Sequence, residues 1–334
     1  MSDTVGQFDA IPVIDLAPLF DGGPAGLRQV AAAIEHAYSQ VGFSYIVNHG
    51  VPEALTAGVF QASAEFHALP RAEKLQLEVN EFHRGFIPIN TSTDATSTIK
   101  KAAKPNQSES FMMMHELPDD DPDVLAKAPL AGPNQWPASL PNFRPAVRAY
   151  NAALIDLGRR LVPAVAVALG AEPTALDANF VRPTTFLRLL YYPPQPPASP
   201  EDLFGSNPHT DYGFLTLLAQ DDVGGLQVRN RAGDWVDAPY RPGALVMNSG
   251  DILHRWSNGH FISTPHRVIN RSGRARYSCP FFFDPDMRAQ IAPLPSRVTA
   301  AAPARFEPLV YGDFLMGQLR ANHDQHAERA QPKM

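Results

Sequence analysis

From about residue 180 onward the chain is cut into short apolar pieces. Runs at 185–192, 215–218, 226–228, 244–247, 268–270 and 277–283 are separated by Gly, Pro, Asn and Asp. Such runs are too short for core helices but suit strands, and the residues between them favour turns. Strands of this kind bury their apolar faces by closing into an all-β barrel or a double-sheet jelly roll. The expected fold class is therefore mainly β with flanking helices around a jelly-roll core.

Ahead of that core the texture is mixed. Residues 11–16 and 42–47 read as strands, with Pro12 near a strand start, where its missing N–H is tolerated. Residues 25–40 and 53–68 read as helices, the latter from the spacing of Leu55, Val59, Ala62 and Phe66. A long helix is expected over about 143–169, kinked or divided by Pro163. Residues 307–321 read as a closing helix. The expected divisions are an N-terminal region packing on the barrel (1–125), a linker with the long helix (126–179), the catalytic core (180–290) and a C-terminal helix and tail (291–334), all one structural unit.

Composition limits the partners. With 334 residues and 44% apolar content, a large core is affordable. A net charge of −6 and no long basic run argue against nucleic acid and against an anionic membrane surface. One cysteine, Cys279, rules out an internal disulfide framework and a cysteine-rich zinc site. The start of the chain lacks a basic n-region followed by an apolar h-region, and no stretch is long enough to span a bilayer. A cytoplasmic, reducing compartment is the expectation.

Three motifs carry chemistry. In His209-Thr210-Asp211, residues two apart in a strand would face the same side, so an imidazole and a carboxylate could reach one ion. His266, in Pro265-His266-Arg267-Val268, supplies a second imidazole. Two histidines and one carboxylate form the facial triad of non-haem Fe(II) oxygenases, which leaves open positions for substrate and oxygen, although the ligand list alone does not fix the metal. Further on, Arg276-Tyr277-Ser278 places a guanidinium and a hydroxyl on one face. A guanidinium grips a carboxylate in a bidentate fork, as a 2-oxo acid cosubstrate chelating a metal through its other end would need.

In this setting His209 to Leu218, Val223-Gly224-Gly225-Leu226-Gln227-Val228, Asn248-Ser249-Gly250-Asp251, Arg255-Trp256-Ser257-Asn258-Gly259, His266-Arg267-Val268 and Arg276-Tyr277-Ser278 resemble the isopenicillin N synthase-like family of 2-oxoglutarate/Fe(II) oxygenases. Residues 11–16, 42–50 and Arg84-Gly85-Phe86 match as well, so the resemblance covers roughly 10–285. It implies a double-stranded β-helix, iron held by His209, Asp211 and His266, and 2-oxoglutarate held by Arg276, Ser278 and Tyr192. Many plant members carry Asn two residues before that tyrosine. Here the position is Leu190, which shifts anchoring onto Arg276 and Ser278.

The implied activity is oxidation of a small molecule with O2 and 2-oxoglutarate, releasing succinate and CO2. The alternative is an oxidase of the isopenicillin N synthase or aminocyclopropane-carboxylate oxidase type, which directs the same Arg-x-Ser motif at another carboxylate. A jelly-roll binding protein with a vestigial site is a third reading. His36, His67, His83, His115, His323 and His326 are expected to be structural and His49 to belong to a turn. His254 and His260, which precede His266, could form a rival cluster, and His254 is a candidate for contact with substrate or with the ligands at the barrel mouth. Phe111-Met112-Met113-Met114 and Phe281-Phe282-Phe283 are expected in the core, with pocket lining as the rival. Cys279 is expected to be packed rather than reactive. Residues 90–107, too polar for core, are expected to form a lid over the metal mouth, with a solvent loop remote from the site as the rival; Lys100, Lys101 and Lys104 hint at an acidic substrate group but fit a solvated loop better.

Overall fold

The computed structural model describes residues 8–92, 104–196, 198–200 and 202–322. Two sheets face each other. The major sheet has eight strands, in spatial order Val13–Asp15, Phe43–Val47, Leu245–Ser249, Leu215–Gln220, Arg276–Asp284, Thr184–Tyr192, Glu109–Met114 and Gly85–Ile87. The minor sheet orders Ser206–His209, His266–Val268, Leu226–Arg229 and Trp235–Asp237. The jelly-roll core is therefore present, and strands from the first 125 residues extend its major sheet at both edges. Val13–Asp15 pairs parallel to Phe43–Val47, and the other strand pairs of this sheet are antiparallel.

The two faces of the major sheet have different neighbours, and the alternation along each strand sorts residues between them. Outside lies the long helix Phe143–Ala168, which buries Val147, Leu154, Leu157, Leu161 and Val165 in the main apolar cluster with Phe281 and Phe283. Helices Gly23–Gln40 and Glu53–His67 join the same cluster through Ile34, Tyr38, Val59 and Phe66. Contact with the sheet is close at Gly158, where a Cβ would come within 2.6 Å of the Phe283 ring. Between the two sheets a smaller cluster gathers Phe43, Leu190, Tyr192, Leu226, Val228, Val246 and Val268.

Pro163 does not divide the long helix, which runs unbroken from Phe143 to Ala168. Proline removes one intrahelical donor, and burial of the apolar side outweighs that single loss. The closing helix is Tyr311–Asn322, preceded by the short strand Leu309–Val310. Among the described residues no helix is long and apolar enough to cross a membrane.

Glu109–Met114 shows how the rival readings of the Phe-Met-Met-Met run divide. All four residues are buried, and Phe111, fully buried, packs its ring 4.9 Å from Phe66 and 5.0 Å from Phe143. Met112 points instead into the cavity described below. Phe111→Ala should therefore lower unfolding stability by about 3–5 kcal/mol, the usual cost of emptying a buried phenyl site. A urea midpoint close to that of the wild type would contradict this packing.

Candidate active site and metal centre

His209 ends the strand Ser206–His209, and His266 begins the strand His266–Val268. The strands pair antiparallel with His209 directly opposite His266. Their rings lie 4.3 Å apart, centre to centre. Asp211 lies beyond the strand end, so the expected route, alternation within one strand, is not how it reaches the site. The turn after His209 brings it back, placing Oδ1 3.7 Å from His209 Nε2 and 3.6 Å from His266 Nε2. Among the described residues this is the one group of three metal-ligating side chains whose donor atoms all lie within 4.8 Å of one another.

Each donor is aimed by a bond behind it. His209 Nδ1 donates to the Asn207 carbonyl at 2.7 Å, and His266 Nδ1 to the Thr264 carbonyl at 3.2 Å. Since a carbonyl only accepts, the ring hydrogens sit on Nδ1 and the Nε2 lone pairs point inward. Asp211 Oδ2 accepts from Thr216 Oγ1 at 2.5 Å and from Asn248 Nδ2 at 2.7 Å, which turns Oδ1 toward the imidazoles. Burial, then the neighbouring His209, depress His266 to about 4, so its ring is neutral near pH 7. Burial pushes Asp211 up, but the two histidines and its two hydrogen bonds outweigh this and hold its carboxyl below the usual value. Two imidazoles and one carboxylate on a single side fit a divalent iron with open positions.

The second group stands on the major sheet. Arg276 and Ser278 are two apart in Arg276–Asp284 and share its inner face. Arg276 is fully buried. Its Nε donates to the Gly224 carbonyl at 2.6 Å, Nη1 to Ser278 Oγ at 3.2 Å and Nη2 to Gln220 Oε1 at 3.3 Å. The guanidinium lies 4.7 Å over the ring of Tyr192, its direct partner across the strands. Among the described residues no carboxylate comes within 4.0 Å of it. The nearby Asp221 is used by the backbone N–H groups of Tyr277 and Val223. A buried cation with no carboxylate in contact is costly, so this one suits an anion that arrives from outside. Leu190, opposite Ser278, lines the same cavity and contributes no polar contact there.

Two adjoining cavities meet at the metal ligands. One is walled by Arg276, Ser278, Tyr192, Leu190 and His266, the other by Met112, Phe186, Phe282, Leu315 and Leu319. Both touch His209, Asp211 and Arg188. The expectations for the other histidines resolve unevenly. His67 is held between Glu109 Oε1 and the Leu189 carbonyl, His115 Nδ1 accepts from Thr185 N, and His49 Nδ1 accepts from Val51 N within its turn. His83 is buried, packs edge to face on Phe186 at 6.0 Å, and also lines the cavity beside the metal ligands. His254 bonds through Nδ1 to the Phe261 carbonyl and packs on Phe306, and neither cavity includes it. His260 pairs with Glu35. Cys279 is buried, and burial pushes its thiol well up, as a packed cysteine requires.

The centre of the expected lid, residues 93–103, lies outside the described residues, as do Lys100, Lys101, His323 and His326. On its flanks, Ser92 and Asn106 line the mouth, and Asn106 Oδ1 accepts from both N and Nδ2 of Asn207, whose carbonyl orients His209. Lys104 pairs with Asp202.

One acid on the cavity wall had no counterpart in the sequence reading. Asp284 accepts from Phe214 N at 2.7 Å and from the Tyr311 hydroxyl at 2.8 Å, tying the closing helix to the segment that follows Asp211. Glycine at 213 makes room, since a Cβ there would fall 1.8 Å from Asp284 Oδ1.

Comparison with known proteins agrees with this geometry. Residues 11–139 match the N-terminal family model described as non-haem dioxygenase in morphine synthesis, and residues 183–285 match the 2OG-Fe(II) oxygenase superfamily. A homoarginine-6-hydroxylase of Glycine max is 33% identical over 332 residues, covering 95% of this chain and 98% of the relative. A 2-oxoglutarate-dependent dioxygenase of Monascus ruber is 36% identical over 293 residues, covering 85% and 87%. A full-length Neurospora crassa protein solved with alpha-KG and thymine superimposes with a TM-score of 0.81 at 28% identity, covering 96% of this chain and 98% of that one. JOX2 solved with 2OG, Fe and JA gives 0.76 at 29%, covering 92% and 84%. The chain belongs to the isopenicillin N synthase-like family of 2-oxoglutarate/Fe(II) oxygenases. It is a non-haem dioxygenase that uses Fe(II), 2-oxoglutarate and O2.

Asp284 carries a measurable signature. Burial raises it from the usual 3.8 to about 7, against the pull of its two donors and with a further push from Asp211. The folded state thus favours the protonated acid. That contribution to stability is complete below about pH 4 and is lost as pH rises through about 7. Asp284→Asn should flatten the fall in the urea midpoint of metal-free protein between about pH 4 and 7. An unchanged slope would show that Asp284 is not the titrating group.

Proposed function

We propose that His209, Asp211 and His266 hold the catalytic Fe(II), and that Arg276, Ser278 and Tyr192 anchor the distal carboxylate of 2-oxoglutarate. The observation that carries this reading is the pairing of an inward-aimed donor triad with a buried guanidinium that has no carboxylate partner within 4.0 Å among the described residues. When bound, the iron supplies oxidation of substrate by O2, coupled to conversion of 2-oxoglutarate to succinate and CO2. The chain's own groups set the stage for it. Thr216 and Asn248 fix the Asp211 carboxylate, the Asn207 and Thr264 carbonyls fix the two imidazoles, and Tyr192 and Gln220 orient the guanidinium. Ser278 Oγ accepts one guanidinium N–H, and its own proton remains for an incoming carboxylate.

The cavity of Met112, Phe186, Phe282, Leu315 and Leu319 receives a small-molecule substrate next to the metal ligands. Solved relatives bound to thymine or to JA support a small-molecule role. Many relatives are named 2-oxoglutarate-dependent, which favours this reading over the 2-oxoglutarate-independent oxidase. The single cysteine suits a reducing, cytoplasmic setting.

Asp211→Ala should abolish succinate formation and Fe(II) binding while the far-UV spectrum stays native; substantial turnover would refute the ligand assignment. Asn248→Ala, which frees Asp211 Oδ2, should weaken Fe(II) binding by about 10–100-fold. Arg276→Lys keeps the charge and loses the fork. Its apparent KM for 2-oxoglutarate should rise by roughly tenfold or more, with Fe(II) affinity unchanged, as expected for a lost charge-assisted hydrogen bond. An unaltered KM would mean that the guanidinium serves some other anion.

A further inference from the structure

The three metal-facing side chains are not held alike. His266 begins a strand that is paired on both sides, to Ser206–His209 and to Leu226–Arg229. His209 ends the edge strand of the minor sheet, whose strand partner among the described residues is His266–Val268. Its side chain is also the most open of the three, 23% exposed against 11% for His266 and 6% for Asp211. An edge strand leaves a row of backbone donors and acceptors that something other than a strand has to cover. Here the cover is the segment 104–107, which leads into Glu109–Met114.

That segment docks through backbone and side chains together. Gln107 N donates to the Phe204 carbonyl at 2.9 Å, Asn207 Nδ2 to the Lys104 carbonyl at 3.0 Å, and Lys104 Nζ to Asp202 at 2.7 Å. The central contact is Asn106, whose Oδ1 accepts from Asn207 N at 2.8 Å and from Asn207 Nδ2 at 2.6 Å. A backbone N–H only donates, so the oxygen of the Asn106 amide is the atom turned to Asn207, where a strand carbonyl would otherwise stand. Both asparagines are buried, and an acceptor removed there leaves its donors unsatisfied. The Asn207 carbonyl in turn takes the Nδ1 hydrogen of His209 at 2.7 Å. Asn106 is thus linked through one residue to the imidazole whose Nε2 faces the metal position. It also lines both cavities, and its own N–H donates at 3.1 Å to the carbonyl of Ser92, a residue of the mouth.

We infer that Asn106 is a positioning residue for the metal centre: by holding Asn207 it sets the His209 imidazole, and it thereby couples docking of the mouth segment 104–107 to metal binding. This rests on the reading that His209, Asp211 and His266 hold the iron. Coupling of this kind is reciprocal. If the docked segment strengthens metal binding, bound metal strengthens docking by the same factor. A residue that contributed only to overall stability would give local opening of 104–107 no such dependence on metal.

The test uses the full chain and Co(II), whose visible ligand-field bands report the donor set. Asn106→Leu removes the acceptor at nearly constant size, and Asn106→Asp keeps it. Asn106→Leu should bind Co(II) about tenfold or more weakly than wild type, with shifted bands, the scale of loss when the support behind a ligating histidine is removed. Asn106→Asp should stay within about threefold of wild type, because its Oδ1 still accepts both bonds. In wild-type protein, saturating Co(II) should slow hydrogen exchange at the Asn106 and Gln107 amides by about tenfold, the reciprocal of the same coupling. Asn106→Leu should lose that slowing at Gln107. Wild-type affinity and bands in Asn106→Leu, an equal loss in both variants, or exchange at Asn106 and Gln107 indifferent to Co(II) in wild-type protein would each overturn the inference. Should Asn106→Leu not fold, the Asn106→Asp titration and the wild-type exchange decide. Absence of the bands from wild-type protein, or bands unaltered in His209→Ala, would be a different failure, overturning the ligand reading and this inference with it.

Discussion

A β-strand sends alternate side chains to opposite faces, and two paired strands near the middle of the major sheet use that alternation to serve two incompatible surroundings. From Thr184–Tyr192, Leu187 and Leu189 go outward into the apolar cluster of the long helix, while Phe186, Arg188, Leu190 and Tyr192 go inward. From Arg276–Asp284, Phe281 and Phe283 go outward and Arg276, Ser278 and Phe282 inward. A one-residue slip in either strand would bury a guanidinium among phenyl rings and turn those rings into the site. Helix packing outside and chemistry inside are thus coupled through one register.

The charged groups inside follow a common rule. A buried charge persists only where hydrogen bonds or an opposite charge repay its desolvation. Asp211 has Thr216, Asn248 and two imidazoles, and Arg276 has a carbonyl, an amide oxygen, a hydroxyl and a tyrosine ring. Both are still left with unspent capacity directed into the cavity. For Asp211 that is one carboxylate oxygen and for Arg276 a net positive charge, and metal and cosubstrate are what such a remainder suits. Asp284 takes the other course. With backbone and phenol donors but no cation, it is pushed toward its neutral form.

The residues that the motifs singled out do come together in space, though not always by the expected route. His209 and Asp211 do converge, yet the strand stops at His209 and a turn carries Asp211 to the centre. Arg276 and Ser278 converge for the reason expected, being two apart on one continuous strand. Asn248 sits in a motif that marked the family, but its bond to Asp211 Oδ2 could not be read from the motif itself. Arg188 had a visible signal in the sequence: it is the one charged residue in the otherwise apolar run 184–192, at an inward position of the strand. His254 was drawn toward the site by its place in the chain, and its ring turned instead to a local carbonyl.

Local pattern was enough to determine the class of fold, the strand-rich second half, the helices ahead of it and the residue types available for metal and anion binding. These depend on periodicity and on short motifs, which act over a few residues. The tertiary structure decided which strands became neighbours, that His209 faces His266 across a ladder, that the first and last parts of the chain complete the sheet and wall the cavity, and that Arg188 lines both cavities at the metal ligands. Those outcomes come from pairing and burial between residues far apart in sequence. Whether a side chain is a ligand, a support or core depends on what packs behind it, and that is set only when the sheets close.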